Sequence, residues 1–430
     1  MSELIFEGYR SLSGTLQPSG DKSVSHRSLL FGALANGVSR YEGFLASEDC
    51  LNTMKALQNL GVTIKHDPIQ KTIEVHGVGM HGFKQPSVDL DMGNSGTAMR
   101  LMLGLLAGHK LNATLFGDES LSSRPMRRVT DPLKQMGAQI KGKDKGNFAP
   151  LTIQGGKLNA IEYHNKLRSA QVKSAILLAG LYADGVTRVI EDVPSRDHTE
   201  RFMVSSGARF RQNGGVLEVE KTESLKPLSG KIPADISSAA FFIAGASMTP
   251  GSDVTFTNVG LNPTRIGLVS VLQRMGAKIE VIQQNDIPEP IGEIHVRGGK
   301  LRGTRITRDE VPALIDEIPI LMVAMSVAEG ESIVSGAEEL RVKETDRIAV
   351  MVDRLKKAGA SIEELADGCV VKGVESLQGA EIASAGDHRV AMSFAIASLV
   401  SKGGMRITNT DCIATSYPDF SAHFRQLARP

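Results

Sequence analysis

Six stretches of the chain are apolar on nearly every face of a helix, mix Ala and Gly with large side chains, and pass through a turn into a strand-like run: "LLFGALANGVSRYEG", "LMLGLLAGHKLNATLFG", "ILLAGLYADGVTRVI", "FFIAGASMTPGSDVTFTNV", "LMVAMSVAEGESIVSG" and "FAIASLVSKGGMRITNT". Their turns fall near positions 37, 109, 185, 251, 330 and 403, so successive intervals are 72, 76, 66, 79 and 73 residues. A period near 72 in 430 residues predicts six copies of one unit. A second pattern runs in phase with the first: "LGVTI", "MGAQI", "SGARF", "MGAKI" and "AGASI" each close an amphipathic stretch with Gly and open a strand. Those glycines suit a left-handed helix end, where a Cβ is strained. Each unit therefore reads strand, buried helix, strand, surface helix, strand, strand. Helices without a polar face need cover all round, so the buried set is expected to pack together inside a shell of sheets.

Composition narrows the class. With 41% hydrophobic and 23% charged residues, the chain reads as a globular protein of two or three domains. Its formal net charge of +1 supplies no bulk field for nucleic acid or an anionic membrane. Any anion must be caught locally. Cys50, Cys369 and Cys412 are widely spaced, which argues against a disulfide framework or zinc cluster and fits a reducing cytoplasm. The start "MSELIFEGYRSLSGTL" lacks a leader-like apolar run, and no 18 apolar residues follow one another, so neither export nor membrane insertion is expected.

Polar residues cluster where the repeat predicts helix N-termini. Before buried helices stand "DKSVSHRS", "GNSGTAMR", "RSAQVKS", "IDEIP" and "GDHRV"; before surface helices stand "SSRPMRR", "SRDHTER" and "RVKETDR". Acids and hydroxyls are ordinary caps there, but cations in a first turn oppose the helix dipole by about 0.3–1 kcal/mol each. That anomaly recurs at Lys22, Arg27, Arg124, Arg127, Arg196, Lys343, Arg347 and Arg389. A shared anionic ligand removes the conflict, because helix N–H groups and guanidinium forks both bind carboxylate and phosphate. "GTLQPSGDKS" is not a Walker A loop, since the glycine spacing is wrong and Asp21 precedes the lysine. In "GNSGTA" small residues allow backbone to approach a ligand, and in "VPALIDEIPIL" Asp316 is a candidate general base. Ile348, Met351, Val352 and Leu355 form an inward stripe that Glu344 and Arg347 extend toward the helix mouth. No HExxH or CxxC pattern marks a metal site.

"GDKSVSHR", "GNSGTAMR", "SRPMRR", "SAQVKSAILLAG", "SRDHTER", "RVKETDR" and "GDHRVAM" occur in an order that resembles the 5-enolpyruvylshikimate-3-phosphate synthase family, over nearly the whole chain. The resemblance implies a two-domain inside-out α/β barrel of six βαβαββ repeats, with 21–237 as one domain and 1–20 plus 238–430 as the other, and ligands bound in a cleft between them. It implies enolpyruvyl transfer from phosphoenolpyruvate to the 5-hydroxyl of shikimate 3-phosphate with release of phosphate. No cofactor or metal is expected, and a cytoplasmic monomer without nucleic-acid or membrane partners. By the same resemblance Lys22, Ser23, Arg27, Ser169, Gln171, Ser195, Arg196, Asp316 and Lys343 contact shikimate 3-phosphate. Lys22, Asn94, Gly96, Arg124, Gln171, Arg347, His388 and Arg389 contact phosphoenolpyruvate. Asp316, Glu344 and Lys22 carry the proton transfers. Two departures, Ala170 for a serine and Thr415 for a ligand-binding lysine, resemble the second bacterial class. The rival readings are an enolpyruvyl transferase acting on UDP-N-acetylglucosamine, which commonly uses a loop cysteine absent near "DESLSSRPMRR", an RNA 3′-phosphate cyclase, and a non-catalytic phosphosugar-binding protein.

Overall fold

The computed structural model describes residues 2–285 and 289–430. The chain divides into two compact units, Lys22–Ile232 and Met1–Asp21 with Pro233–Pro430. The second crossing lies a few residues before the expected position 237. The reason is local: Ala234 N–H bonds Asn258 O, Asp235 N–H bonds Ser19 O, and the helix Ile236–Met248 that follows is buried throughout in the second unit.

In the unit Lys22–Ile232 the pattern recurs three times. Helices Lys22–Leu34, Gly96–Ala107 and Ala170–Gly180 are the buried ones. Their small residues set the approach: a Cβ on Gly104 would lie 2.3 Å from the Ala175 carbonyl oxygen. Each repeat adds one four-stranded sheet. Val38–Glu42, Thr72–His76 and Thr63–Asp67 pair antiparallel, and Ser229–Lys231 joins in parallel. Asn112–Phe116, Phe148–Gln154 and Gln139–Gly142 repeat that order with Leu90–Asp91 as the parallel edge. Val186–Ile190, Val216–Glu220 and Phe210–Asn213 do so with Glu162–His164. A parallel edge drawn from elsewhere in the chain closes each sheet and covers an otherwise open strand.

The other unit repeats the scheme around Ile236–Met248, Ile318–Ser326 and His388–Ala397, in which every residue is buried. Its third sheet departs from a regular repeat. Ser401–Thr408 pairs with Leu377–Ala383 in parallel, and the N-terminal strand Glu3–Phe6 supplies the antiparallel partner. The amphipathic helices form where expected, and their closing glycines take left-handed backbone, with φ +90° at Gly61 and +81° at Gly359. Among the described residues no helix is long and apolar enough to cross a membrane.

Candidate active site

In the unit Met1–Asp21 with Pro233–Pro430, charged side chains gather at the N-terminal ends of the buried helices. Pro319 opens Ile318–Ser326, and the tight turn Ile315–Glu317 before it fixes Asp316. The Asp316 carboxylate lies 3.4 Å from Arg347 Nη1, 3.7 Å from Lys343 Nζ and 3.9 Å from Arg389 Nη2. Arg389 Nη1 also donates to the Asp316 carbonyl at 2.9 Å. Asp387 caps the helix His388–Ala397 by accepting from Arg389 N–H, and its other oxygen accepts from Arg347 Nε at 2.7 Å. Arg347 Nη2 donates to Glu344 as well. Arg347 is 1% exposed, so the inward direction read from the apolar stripe is the one observed. Burial pushes the Asp387 carboxyl up, but the Arg347 guanidinium outweighs it and holds Asp387 below the ordinary 3.8.

His388 Nδ1 lies 3.4 Å from Thr415 Oγ1, which donates its own proton to Cys412 O at 2.7 Å. Beneath this cluster Arg265 joins Asp21 at 3.3 Å, Asp235 at 3.2 Å and Ser237 at 2.8 Å, and Ser237 donates to the buried Glu317.

The unit Lys22–Ile232 carries the second group. Lys22 Nζ pairs with Asp49 at 3.0 Å. Arg27, 3% exposed, gives Nε to Thr199 at 2.7 Å, Nη2 to Ser174 at 2.9 Å and Nη1 to the Ser23 carbonyl at 2.9 Å. Arg124 grips Asn94 twice, at 3.1 Å on its carbonyl and 2.6 Å on its amide oxygen. A Cβ on Gly96 would stand 3.0 Å from Arg100 Nη1 and 3.6 Å from Arg124 Nη1. Gln171 donates to Thr97 Oγ1 at 2.8 Å and accepts from Arg100. Ser169 caps its helix, its hydroxyl accepting from Val172 N–H. Gly96, Asn94, Arg124 and Gln171 therefore meet around one helix N-terminus, joined by Arg100, which sequence reasoning did not single out. The available signal was a cation four residues into an otherwise apolar helix.

Ser195 spends its hydroxyl and its N–H on Glu191, at 2.6 and 3.2 Å, while Arg196 is half-buried. Glu191 in turn takes Lys173 at 2.8 Å, and Lys173 also pairs with Glu200 at 2.6 Å, all three buried. Burial pushes the Glu200 carboxyl up against the opposing pull of Lys173; burial pushes the Lys173 amine down, but the two glutamates outweigh it. Arg127, one of the anomalous cations, is exposed and pairs with Asp144 at 3.1 Å, so its place is explained without a ligand. Among the described residues no cluster of three or more His, Cys, Asp or Glu is placed to hold a metal ion.

His26 sits in the same helix start, 1% exposed, with Nδ1 2.9 Å from Thr53 Oγ1. Burial first, then the charges of Lys22 and Arg27, lower its pKa from 6.5 to about 3. The unfolded chain therefore binds a proton below pH 6.5 that the folded chain refuses until about pH 3. Stability from this group is present above pH 6.5 and falls as pH drops toward 3, by at most about 1.4 kcal/mol per pH unit. His26→Asn, which retains a donor near Nδ1, is expected to flatten that part of the curve. Urea midpoints between pH 4 and 7 measure it, and equal slopes in the two proteins would count against the assignment.

A family model described as EPSP synthase (3-phosphoshikimate 1-carboxyvinyltransferase) matches residues 6–424. The 3-phosphoshikimate 1-carboxyvinyltransferase of Desulforamulus reducens is 44% identical over 426 residues, 99% of each chain. A solved structure of EPSP synthase from Acinetobacter baumannii superposes with a TM-score of 0.87 at 44% identity, covering 99% of this chain and 98% of that one. The enolpyruvyl transferase NikO from Streptomyces tendae, at 17% identity, 99% and 97% coverage and a TM-score of 0.79, shares the fold.

Proposed function

The chain belongs to the EPSP synthase family, whose enzymes transfer the enolpyruvyl group of phosphoenolpyruvate to shikimate 3-phosphate in aromatic biosynthesis, and we propose that the two charged clusters described above serve that one reaction. The observation that carries the assignment of roles is Asp316: an acid on the turn before a buried helix, with three cations within 4 Å. Asp316 receives the proton of the acceptor hydroxyl as its oxygen adds to C2 of phosphoenolpyruvate. Glu344, assisted by Lys22, delivers a proton to C3. In the tetrahedral adduct Glu344 takes a C3 proton back as the C2–O bond to phosphate breaks, which restores the C2–C3 double bond as an enol ether, and the departing inorganic phosphate takes the proton held by Asp316. Two phosphates and a carboxylate repel one another, so the cations supply what assembly costs.

Phosphoenolpyruvate is assigned to Lys22, Asn94, Gly96, Arg124, Gln171, Arg347, His388 and Arg389. Shikimate 3-phosphate is assigned to Lys22, Ser23, Arg27, Ser169, Gln171, Ser195, Arg196, Asp316 and Lys343. Arg347, tied to three carboxylates, acts mainly by holding Asp316, Glu344 and Asp387 in place, and Ser195 meets a phosphate only by releasing Glu191. We place the protein in the cytoplasm as a monomer without cofactor. Phosphate release from phosphoenolpyruvate, assayed with shikimate 3-phosphate and separately with UDP-N-acetylglucosamine, tests the reading. Turnover with only the sugar nucleotide would overturn it.

Glyphosate, a competitor of phosphoenolpyruvate by the family resemblance, is expected to inhibit this protein, because Gly96 leaves the space beside Arg100 and Arg124 open. In Gly96→Ala the added methyl pushes on the Arg100 guanidinium, and crowding of this kind costs roughly 1–3 kcal/mol. Inhibition is expected to weaken more than phosphoenolpyruvate binding does. The comparison is made at matched fractional saturation with phosphoenolpyruvate, and equal sensitivity of both proteins would remove Gly96 from the argument.

A further inference from the structure

Within the unit Met1–Asp21 with Pro233–Pro430, a cavity of about 710 Å³ opens at the C-terminal ends of the three buried helices. Met248 ends the first helix, Val327 follows the second, Leu399 lies just past the third, and with Leu301 they form an apolar floor. Charges of both signs ring it: Arg10, Lys300 and Lys402 against Glu329 and Glu375. Arg10 and Glu375 stand two residues, and Lys300 one residue, before a buried leucine, Leu12, Leu377 and Leu301. Arg10 is already oriented, its Nη1 donating to the Ser401 carbonyl at 3.0 Å. Asp235 and Asp387 cap, and Glu317 precedes, the opposite ends of the same helices. The cavity is thus a helix length, about 14–20 Å, from the charged cluster.

The corresponding place in the unit Lys22–Ile232 is filled by rings. His109, just past the helix Gly96–Ala107, stacks on Phe83 at 4.6 Å and meets Tyr182 at 4.8 Å, and Tyr182 in turn meets His81 at 5.8 Å. Tyr182 follows the end of Ala170–Gly180. One repeat architecture therefore builds the same helix-end space twice, once plugged by its own aromatic side chains and once open.

We propose that the open cavity is a binding site for a small aromatic zwitterion of the α-amino acid type. The plugged counterpart shows that planar rings fit at such helix ends, here those of Gly96–Ala107 and Ala170–Gly180. The volume is that of a small-molecule pocket. Arg10, Lys300 and Lys402 take the carboxylate, and Glu329 and Glu375 take the ammonium. An aromatic acid or amine alone satisfies only one half of the rim.

The chain contains no tryptophan, so L-tryptophan is both probe and reporter. Its fluorescence anisotropy should rise saturably with added protein, unchanged by saturating shikimate 3-phosphate. Tryptamine and indole-3-propionate should each bind more weakly. Arg10→Ala should weaken binding about fivefold or more. Gly299 lines the cavity and a Cβ there meets nothing within 4 Å, so Gly299→Phe can place a ring in the space without backbone clash. That variant should abolish binding while keeping its circular dichroism spectrum and its phosphate-release rate. Absence of saturation at millimolar protein, displacement by shikimate 3-phosphate, or undiminished binding to folded Gly299→Phe would each overturn the proposal.

Discussion

Asp316→Asn is expected to fold, to bind shikimate 3-phosphate, and to lose about 10²–10⁴-fold in kcat, the range for removing a positioned proton acceptor. The amide keeps the shape of the side chain and its place on the turn Ile315–Glu317, but it cannot take the hydroxyl proton. It also removes the negative charge that Arg347, Lys343 and Arg389 surround, so a modest loss of thermal stability accompanies the kinetic one. Binding by calorimetry and turnover by phosphate release separate the two effects. If kcat stays within a few-fold of the parent while the protein is folded, Asp316 holds cations and does no proton chemistry.

The second large effect concerns folding. Arg347→Ala strands the fully buried Asp387 and frees Glu344, and breaking a buried pair from one side costs about 3–5 kcal/mol. The pH dependence carries a sign that a cavity alone would not produce. In the parent, Asp387 is held below 3.8, so its contribution is present above pH 3.8 and is lost as pH falls through the depressed folded value. In Arg347→Ala, burial acts without the guanidinium and raises the carboxyl above 3.8. Stability is then lost as pH rises from that point. The gap between the two proteins should narrow in acid, and denaturant titrations from pH 3 to 7 measure it. Arg347→Lys returns a point charge without the fork, and should recover part of the loss. A gap independent of pH would mean that lost packing, not the ion pair, sets the cost.

The six apolar stretches and five glycine ends were legible because burial on every face and left-handed backbone leave marks in a single segment. The direction of Arg347 was legible too, since Ile348, Met351, Val352 and Leu355 define which side of that helix turns inward. The candidate residues stood out as cations where a helix dipole disfavours them. Arg127 shows the limit of that signal: the same sequence oddity is met by an exposed Asp144, and only the fold tells the two cases apart.

What the tertiary structure alone decided is the pairing between distant segments. Arg100 with Gln171 and Arg27 with Thr199 and Ser174 join residues from different repeats, and Lys173 with Glu191 and Glu200 and Arg265 with Asp21 and Asp235 join different elements. Each partner alone looks like an ordinary surface charge or helix polar residue. Their burial becomes tolerable only when the partner arrives, because a charge removed from water needs an opposite charge or hydrogen bonds within reach. The irregular third sheet is of the same kind: Glu3–Phe6 and Ser401–Thr408 lie at opposite ends of the chain, and backbone pairing between them leaves no periodic mark in either. Sequence by itself determined the local elements, their repetition and the chemistry of the side chains at helix starts. The packed structure determined which of those side chains face a ligand and which spend their charge on one another, because that depends on distances that only folding sets.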